Sequence, residues 1–111
     1  WISLIRLPDF VTKEDFQNIK NETEKKKKQD YSKVKFMTIE EGLCVQCMHI
    51  GSYDKEYKTI SMMEQYLEEH GFISDLSPNR LHHEIYLSDA RRVVPEKWKT
   101  VIRHPIRKKG E

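Results

Sequence analysis

With 111 residues, 20 Lys plus Arg against 18 Asp plus Glu, and 37% hydrophobic residues, the chain fits one compact soluble domain and excludes a multidomain machine. A domain this short hides roughly two thirds of its unfolded surface, so its core is genuine but small. No apolar run approaches the roughly 18 residues that a membrane span needs, and two cysteines are too few for a disulfide scaffold, so a reducing cytoplasm is the expected setting.

The chain opens with Trp1-Ile2-Ser3-Leu4-Ile5, an apolar run read as a strand already under way and closed by Pro8, which lacks an N–H donor. That opening, without an initiator Met, carries the expectation of a distal piece of a longer protein. Thr12 with Asp15 three residues on has capping-box spacing and starts a helix. Its apolar stripe, Phe16 and Ile19, dies away into Lys25-Lys26-Lys27-Lys28, so the far end is expected to be wet. Residues 33–39 and 43–50 are β-rich runs separated by Glu40-Glu41-Gly42, which predicts an antiparallel hairpin.

Gly51-Ser52-Tyr53-Asp54 supplies a turn and a helix cap, after which Tyr57, Ile60, Met63, Tyr66 and Leu67 recur at helical spacing until Gly71 stops the helix. Residues 81–87 alternate like a strand after the Ser77-Pro78-Asn79 turn, and residues 98–106 form another after Pro95. The order β-α-β-β-α-β-β contains a strand-helix-strand-strand unit twice. It predicts an α+β fold with two helices on one face of an antiparallel sheet. The open sheet face then needs a cover: an upstream half of the domain, a second copy of the chain, or a ligand.

Net charge is segregated, with −1 over residues 1–19, +4 over 20–35, −7 over 36–89 and +6 over 90–111. The basic patches at Lys25–Lys28 and 103–109 lack a nucleic-acid motif, so they read as solvated surface. Cys44 and Cys47 have C-x-x-C spacing, but on a strand they point to opposite faces and cannot converge on one ion. No metal or other cofactor is expected.

Glu84 and Tyr86, two apart on a predicted strand, share one face with His82 in line, while Ile85 and Leu87 point the other way. If Ile85 and Leu87 meet the helices, Glu84 and Tyr86 take the opposite side. A carboxylate in an apolar setting either takes up a proton or attracts a cation; one facing solvent and paired with a Lys or Arg is the plainer reading. Trp1, Phe36 and Trp98 are candidate aromatic walls for a ligand, core packing being their alternative role.

The segment Leu81-His82-His83-Glu84-Ile85-Tyr86-Leu87-Ser88-Asp89-Ala90-Arg91-Arg92-Val93-Val94-Pro95-Glu96-Lys97-Trp98-Lys99-Thr100-Val101-Ile102-Arg103 resembles the GyrI-like small-molecule-binding family. Arg6-Leu7-Pro8-Asp9-Phe10-Val11 and the run from Glu40 to Asp54 match the same family, so the resemblance spans nearly the whole chain. It implies a single pseudo-twofold domain over residues 1–111, lacking most of its upstream unit, with a ligand cavity where two strand-helix-strand-strand units meet. Ser52 stands where the family usually has Pro.

Relatives of this kind serve as effector domains of AraC-type and MerR-type regulators, as drug-binding proteins, as gyrase inhibitors, and in one branch as hydrolases of cyclopropane-bearing toxins. The leading reading is capture of hydrophobic, often cationic, small molecules, with Glu84 as counter-charge. The alternative is hydrolysis of a strained electrophile by Glu84 and Tyr86. A third is an interaction module for gyrase or a fused regulator.

Overall fold

The computed structural model describes residues 1–110, which fall into two compact units, residues 1–39 and 40–110. In the first unit, α1 (Lys13–Lys27) starts at the predicted capping box: Thr12 Oγ1 accepts from Asp15 N at 3.1 Å, and Asp15 Oδ2 accepts from Thr12 N at 3.0 Å. These bonds hold the Asp15 carboxyl below the usual range. No residue of α1 is buried. Phe16, near its start, packs on Phe36 with ring centroids 5.8 Å apart.

Two predicted strands are absent. Residues 2–5 are exposed and enter no ladder, and residues 33–39 run outside any strand although their composition favours one. A strand exists only where a neighbouring edge takes its backbone groups. Here Val34 N donates to Tyr31 O (2.9 Å) and Lys20 Nζ donates to Val34 O (3.1 Å), so the segment bonds within its own unit and forms no hairpin with residues 43–50.

The second unit holds β1 (Cys44–Ile50), α2 (Glu56–His70), β2 (Phe72–Ser74), β3 (His83–Tyr86) and β4 (Lys99–Lys108) in a four-stranded antiparallel sheet. With the two helices, this is the expected α+β class. Ser52 opens a one-turn 3₁₀ helix, Tyr53–Lys55, without a side-chain cap, and α2 begins only at Glu56. At its far end Gly71 adopts the left-handed φ of 78° that ends the helix, and β2, too short to show alternation in the sequence, follows at once.

All strand pairing runs through β4. β1 pairs with it from Cys44↔Pro105 to Ile50↔Lys99, while β3 (His83↔Arg103 to Tyr86↔Thr100) and β2 (Phe72↔Lys108 to Ser74↔Ile106) lie end to end along its other edge. The register sets two faces. Cys47, Ile102 and Glu84 are cross-strand neighbours on one, as are His49, Thr100 and Tyr86; Gln46, Arg103 and His83 share the other.

α2 lies on the first of these faces, since its Thr59 Oγ1 is 2.7 Å from His49 Nδ1 and its Glu56 meets Glu84. Met63 and Leu67 of α2, with Ile102 and Ile106 of β4, make the buried apolar core. Arg80 ties the loop before β3 to the entry of β1: Nη2 donates to Glu41 O (2.8 Å) and Leu43 O (2.7 Å), and Nη1 to Asp75 Oδ2 (2.5 Å). Gly42 is required there, because a Cβ on its left-handed backbone (φ 65°) would stand 3.1 Å from Arg80 Nη2.

Candidate functional site

Glu84 is placed on the helix-bearing face, contrary to the side given by assigning Ile85 and Leu87 to the helices. The reason is register: Ile102, fully buried at 0% exposure, is its cross-strand partner, so Glu84 turns inward with it. Its side chain is 23% exposed. Tyr86 Oη donates to Glu84 Oε2 at 2.5 Å, and His82 Nε2 lies 3.3 Å from Glu84 Oε1.

The carboxyl of Glu56, the first residue of α2, faces that of Glu84, and its Oε2 is buried without a hydrogen-bond partner among the described residues. Two carboxyls in contact cannot both ionise cheaply, and burial selects which one keeps the proton. Burial, then the hydrogen bond and charge of Glu84, push Glu56 up to about 8. Hydrogen bonding from Glu56 first, then from Tyr86 and His82, holds Glu84 below the usual carboxylate range against its own burial. At neutral pH the pair is therefore an acid at Glu56 beside a carboxylate at Glu84. The Tyr86 hydroxyl is pushed up to about 12, mainly by its bond to Glu84, so it stays a donor.

A row of rings leads away from the carboxylate. Tyr53 packs on Tyr86 with centroids 5.4 Å apart and on Trp98 at 4.5 Å, and Trp98 Nε1 donates to Val93 O at 2.7 Å, which fixes the indole. Each such aromatic pair adds about 0.5–1.5 kcal/mol beyond area burial. On the other flank, His82 Nδ1 and His104 Nε2 are 2.5 Å apart. With Nε2–H of His82 aimed at Glu84, a neutral His82 leaves Nδ1 to accept from His104. Burial, followed by the neighbouring His82, pushes His104 down.

Of the six residues singled out in the sequence, Glu84, Tyr86 and His82 are joined by direct contact, and Trp98 joins them through Tyr53. Trp1 and Phe36 belong to the first unit, where Trp1 is 113% exposed and Phe36 packs on Phe16. Glu56, Tyr53 and His104 were not singled out. An acidic residue at a helix start, where the macrodipole favours it, carries no signal of its own. Tyr53 belongs to the turn and cap before α2, and nothing in the local sequence marks His104 as the neighbour of a residue 22 positions earlier.

His83, on the opposite face from His82, lies 3.0 Å from Glu41 Oε1. Cys44 and Cys47 are free thiols with an odd separation along β1, and the described residues contain no cluster of three or more metal-ligating side chains. A depression of about 290 Å³ between α2 and β2 is lined by Glu64, Leu67, Glu68, Phe72, Ile73, Ser74 and Lys109 and shares no residue with the Glu84–Tyr86 pair or its ring row. No helix among the described residues is long and apolar enough to cross a membrane.

Three solved structures from Listeria innocua are similar to this chain over 92% of its length. One, described as a hydrolase, has 45% identity and a TM-score of 0.85. A second, an uncharacterized conserved protein, has 47% identity and a TM-score of 0.87. A third, also described as a hydrolase, has 45% identity and a TM-score of 0.82. The chain spans about half the length of each, 52%, 50% and 50% respectively. No curated protein matches it. The family model for the GyrI-like small molecule binding domain matches residues 9–107, and the chain belongs to that family.

Proposed function

We propose that this domain captures hydrophobic, positively charged small molecules, with Glu84 as the counter-charge and the Trp98–Tyr53–Tyr86 row as the apolar wall. The observation that carries this reading is a largely sheltered carboxyl, bonded by Tyr86, at the end of three packed rings. A cation over an aromatic face gains about 0.5–2 kcal/mol as it is desolvated. A carboxylate away from bulk water adds an attraction several times stronger than the same pair would have in solvent. A reducing cytoplasm is the setting we infer, in keeping with two free cysteines.

The test compares tetraphenylphosphonium, a lipophilic cation, with neutral triphenylphosphine oxide on the protein and on its Glu84→Gln variant. The expected result is a loss of about tenfold or more for the cation, equivalent to about 1.4 kcal/mol, with the neutral ligand changed by less than about twofold. Equal losses for both ligands would remove Glu84 as counter-ion.

A second reading, hydrolysis of a strained electrophile, is favoured by the 2.5 Å bond between Tyr86 and Glu84, which sets a proton donor beside a carboxylate. Two solved relatives are described as hydrolases. In that chemistry Glu84 takes a proton from the attacking water while a neighbouring acid protonates the opening ring. Incubation with a cyclopropane-bearing electrophile is expected to give a ring-opened product with the parent protein. Glu84→Gln is expected to bind without converting, and the absence of product from the parent protein rejects the reading.

A further inference from the structure

Glu56 lies outside every residue set by which the sequence pointed to a ligand site, yet its side chain touches the most chemically loaded residue of the second unit. As a carboxylate it would leave Oε2 buried with no donor to accept from among the described residues. It would also press a second negative charge against Glu84. As a carboxylic acid it supplies the hydrogen bond that two carboxyls in contact require. Thr100, at 1% exposure and opposite Tyr86 in the register, contributes a buried hydroxyl that is likewise without a partner among the described residues.

We propose, building on the capture of cations by Glu84, that Glu56 and Glu84 hold one proton between them and that an entering cation displaces it. Binding of a cation then releases one proton to solvent, whereas binding of a neutral ligand releases none. The charge of the site is thereby balanced in both states: a shared proton when empty, a ligand cation when filled. A net charge of −1 within the pair attracts the cation, and loss of the proton gives the bound cation a second carboxylate.

The groups around this pair are Tyr86 of β3, His82 just before that strand, Tyr53 of the 3₁₀ turn through Tyr86, and His104 from β4, itself facing Glu64 of α2. Tyr86 remains protonated throughout the physiological range, with its hydroxyl at about 12. Glu56, at about 8, is the group whose proton can be displaced at neutral pH. Below that value each unit fall in pH weakens cation binding by up to about tenfold; above it the dependence flattens.

The experiment is calorimetric titration with tetraphenylphosphonium at pH 7 in two buffers of different ionisation enthalpy, which counts the protons exchanged. The parent protein is expected to release close to one proton per cation, and none with triphenylphosphine oxide. Glu56→Gln, which keeps an amide donor for Glu84, is expected to bind the cation with no release and no pH dependence between 6 and 8. His82→Gln is expected to leave the release intact.

Preferential cation binding that depends on Glu84 but proceeds without proton release overturns the exchange and leaves the capture reading standing. Release that survives in Glu56→Gln and vanishes in His82→Gln overturns it as well. Failure of the cation to bind, or binding no tighter than that of the neutral ligand, removes the capture reading and the exchange with it. Infrared difference spectra at pH 6 read the shared proton independently: a protonated-carboxyl C=O band absent from Glu56→Gln supports its assignment, and the lack of such a band in the parent protein refutes it.

Discussion

Two glutamates sit on opposite sides of β4 and have opposite fates. Glu41, reaching over from the entry to β1, receives both contacts of Arg103 Nη1, at 2.9 and 3.1 Å, with His83 at 3.0 Å. Arg103 also donates from Nε to Gln46 Oε1 at 3.0 Å. That carboxylate is held below the usual range, first by its hydrogen bond from Arg103, and its charge is spent within the protein. Glu84 meets Tyr86, His82 and a second carboxyl instead of an arginine. A glutamate neutralised by a fixed cation stabilises a fold; one left with only hydrogen-bond donors keeps its charge available to a visitor.

The largest effect expected is on what both faces share. Ile102 lies between Cys47 and Glu84 at full burial, so Ile102→Ala should cost about 2–4 kcal/mol through lost transfer energy and an unfilled cavity. Urea denaturation measures it, and a loss under about 1 kcal/mol would show that the site collapses around the smaller side chain.

Next comes the contrast itself. Arg103→Met strips Glu41 of its charged partner and is expected to cost about 1–2 kcal/mol, in the range for a hydrogen bond to a charged group that is partly solvated. Glu84→Gln should cost less than about 0.5 kcal/mol, since it removes a sheltered charge that no fixed cation balances, keeps an amide oxygen to accept from Tyr86, and leaves the shape unchanged. Reversed magnitudes would break the distinction between a structural glutamate and the one proposed to face a ligand.

The two faces also separate by the pH at which their carboxyls matter. Glu56 is raised in the folded protein, so its contribution is complete below about 4.5, declines as pH rises and is lost above about 8. Thermal unfolding of Glu56→Gln should therefore match the parent protein near pH 4.5 and exceed it by a growing margin up to pH 8. Glu41 is lowered, so its contribution is complete above the usual carboxylate range and is lost as acid reaches its folded value, a loss that Arg103→Met should abolish. A pH-independent margin for Glu56→Gln would show that no proton is held there.

Local chemistry made the helices legible. Thr12 with Asp15, and Gly71 after a 3.6-residue stripe, mark ends through bonds and backbone angles that involve only nearby residues. Residues 44–50, 83–86 and 99–108 fall within or beside predicted β runs for the same reason. Residues 33–39 carry an equally good β pattern yet lie in the other unit, where Phe36 meets Phe16. Propensity reports how a strand would fit a sheet, whereas the partner edge is a non-local choice.

The same limit divides the candidate site. Glu84, Tyr86 and His82 were recoverable because a period of two along β3 and the residue before it puts them on one side. Glu56 was hidden because its significance arises only where the start of α2 meets Glu84, a pairing of residues 28 positions apart that leaves no periodic trace. The side on which Glu84 lies depended equally on pairing: Ile102 and α2, rather than Ile85, define the inner face.

One consequence follows for biosynthesis. Every ladder of the second unit has β4 as a member, and β1, β2 and β3 make none with one another. On the ribosome, then, three finished strands must wait, edges unsatisfied, until residues 99–108 emerge and recruit them together. That delay favours an abrupt, collective closure over stepwise growth, and makes the nascent chain before β4 the stage at which a chaperone has most to protect.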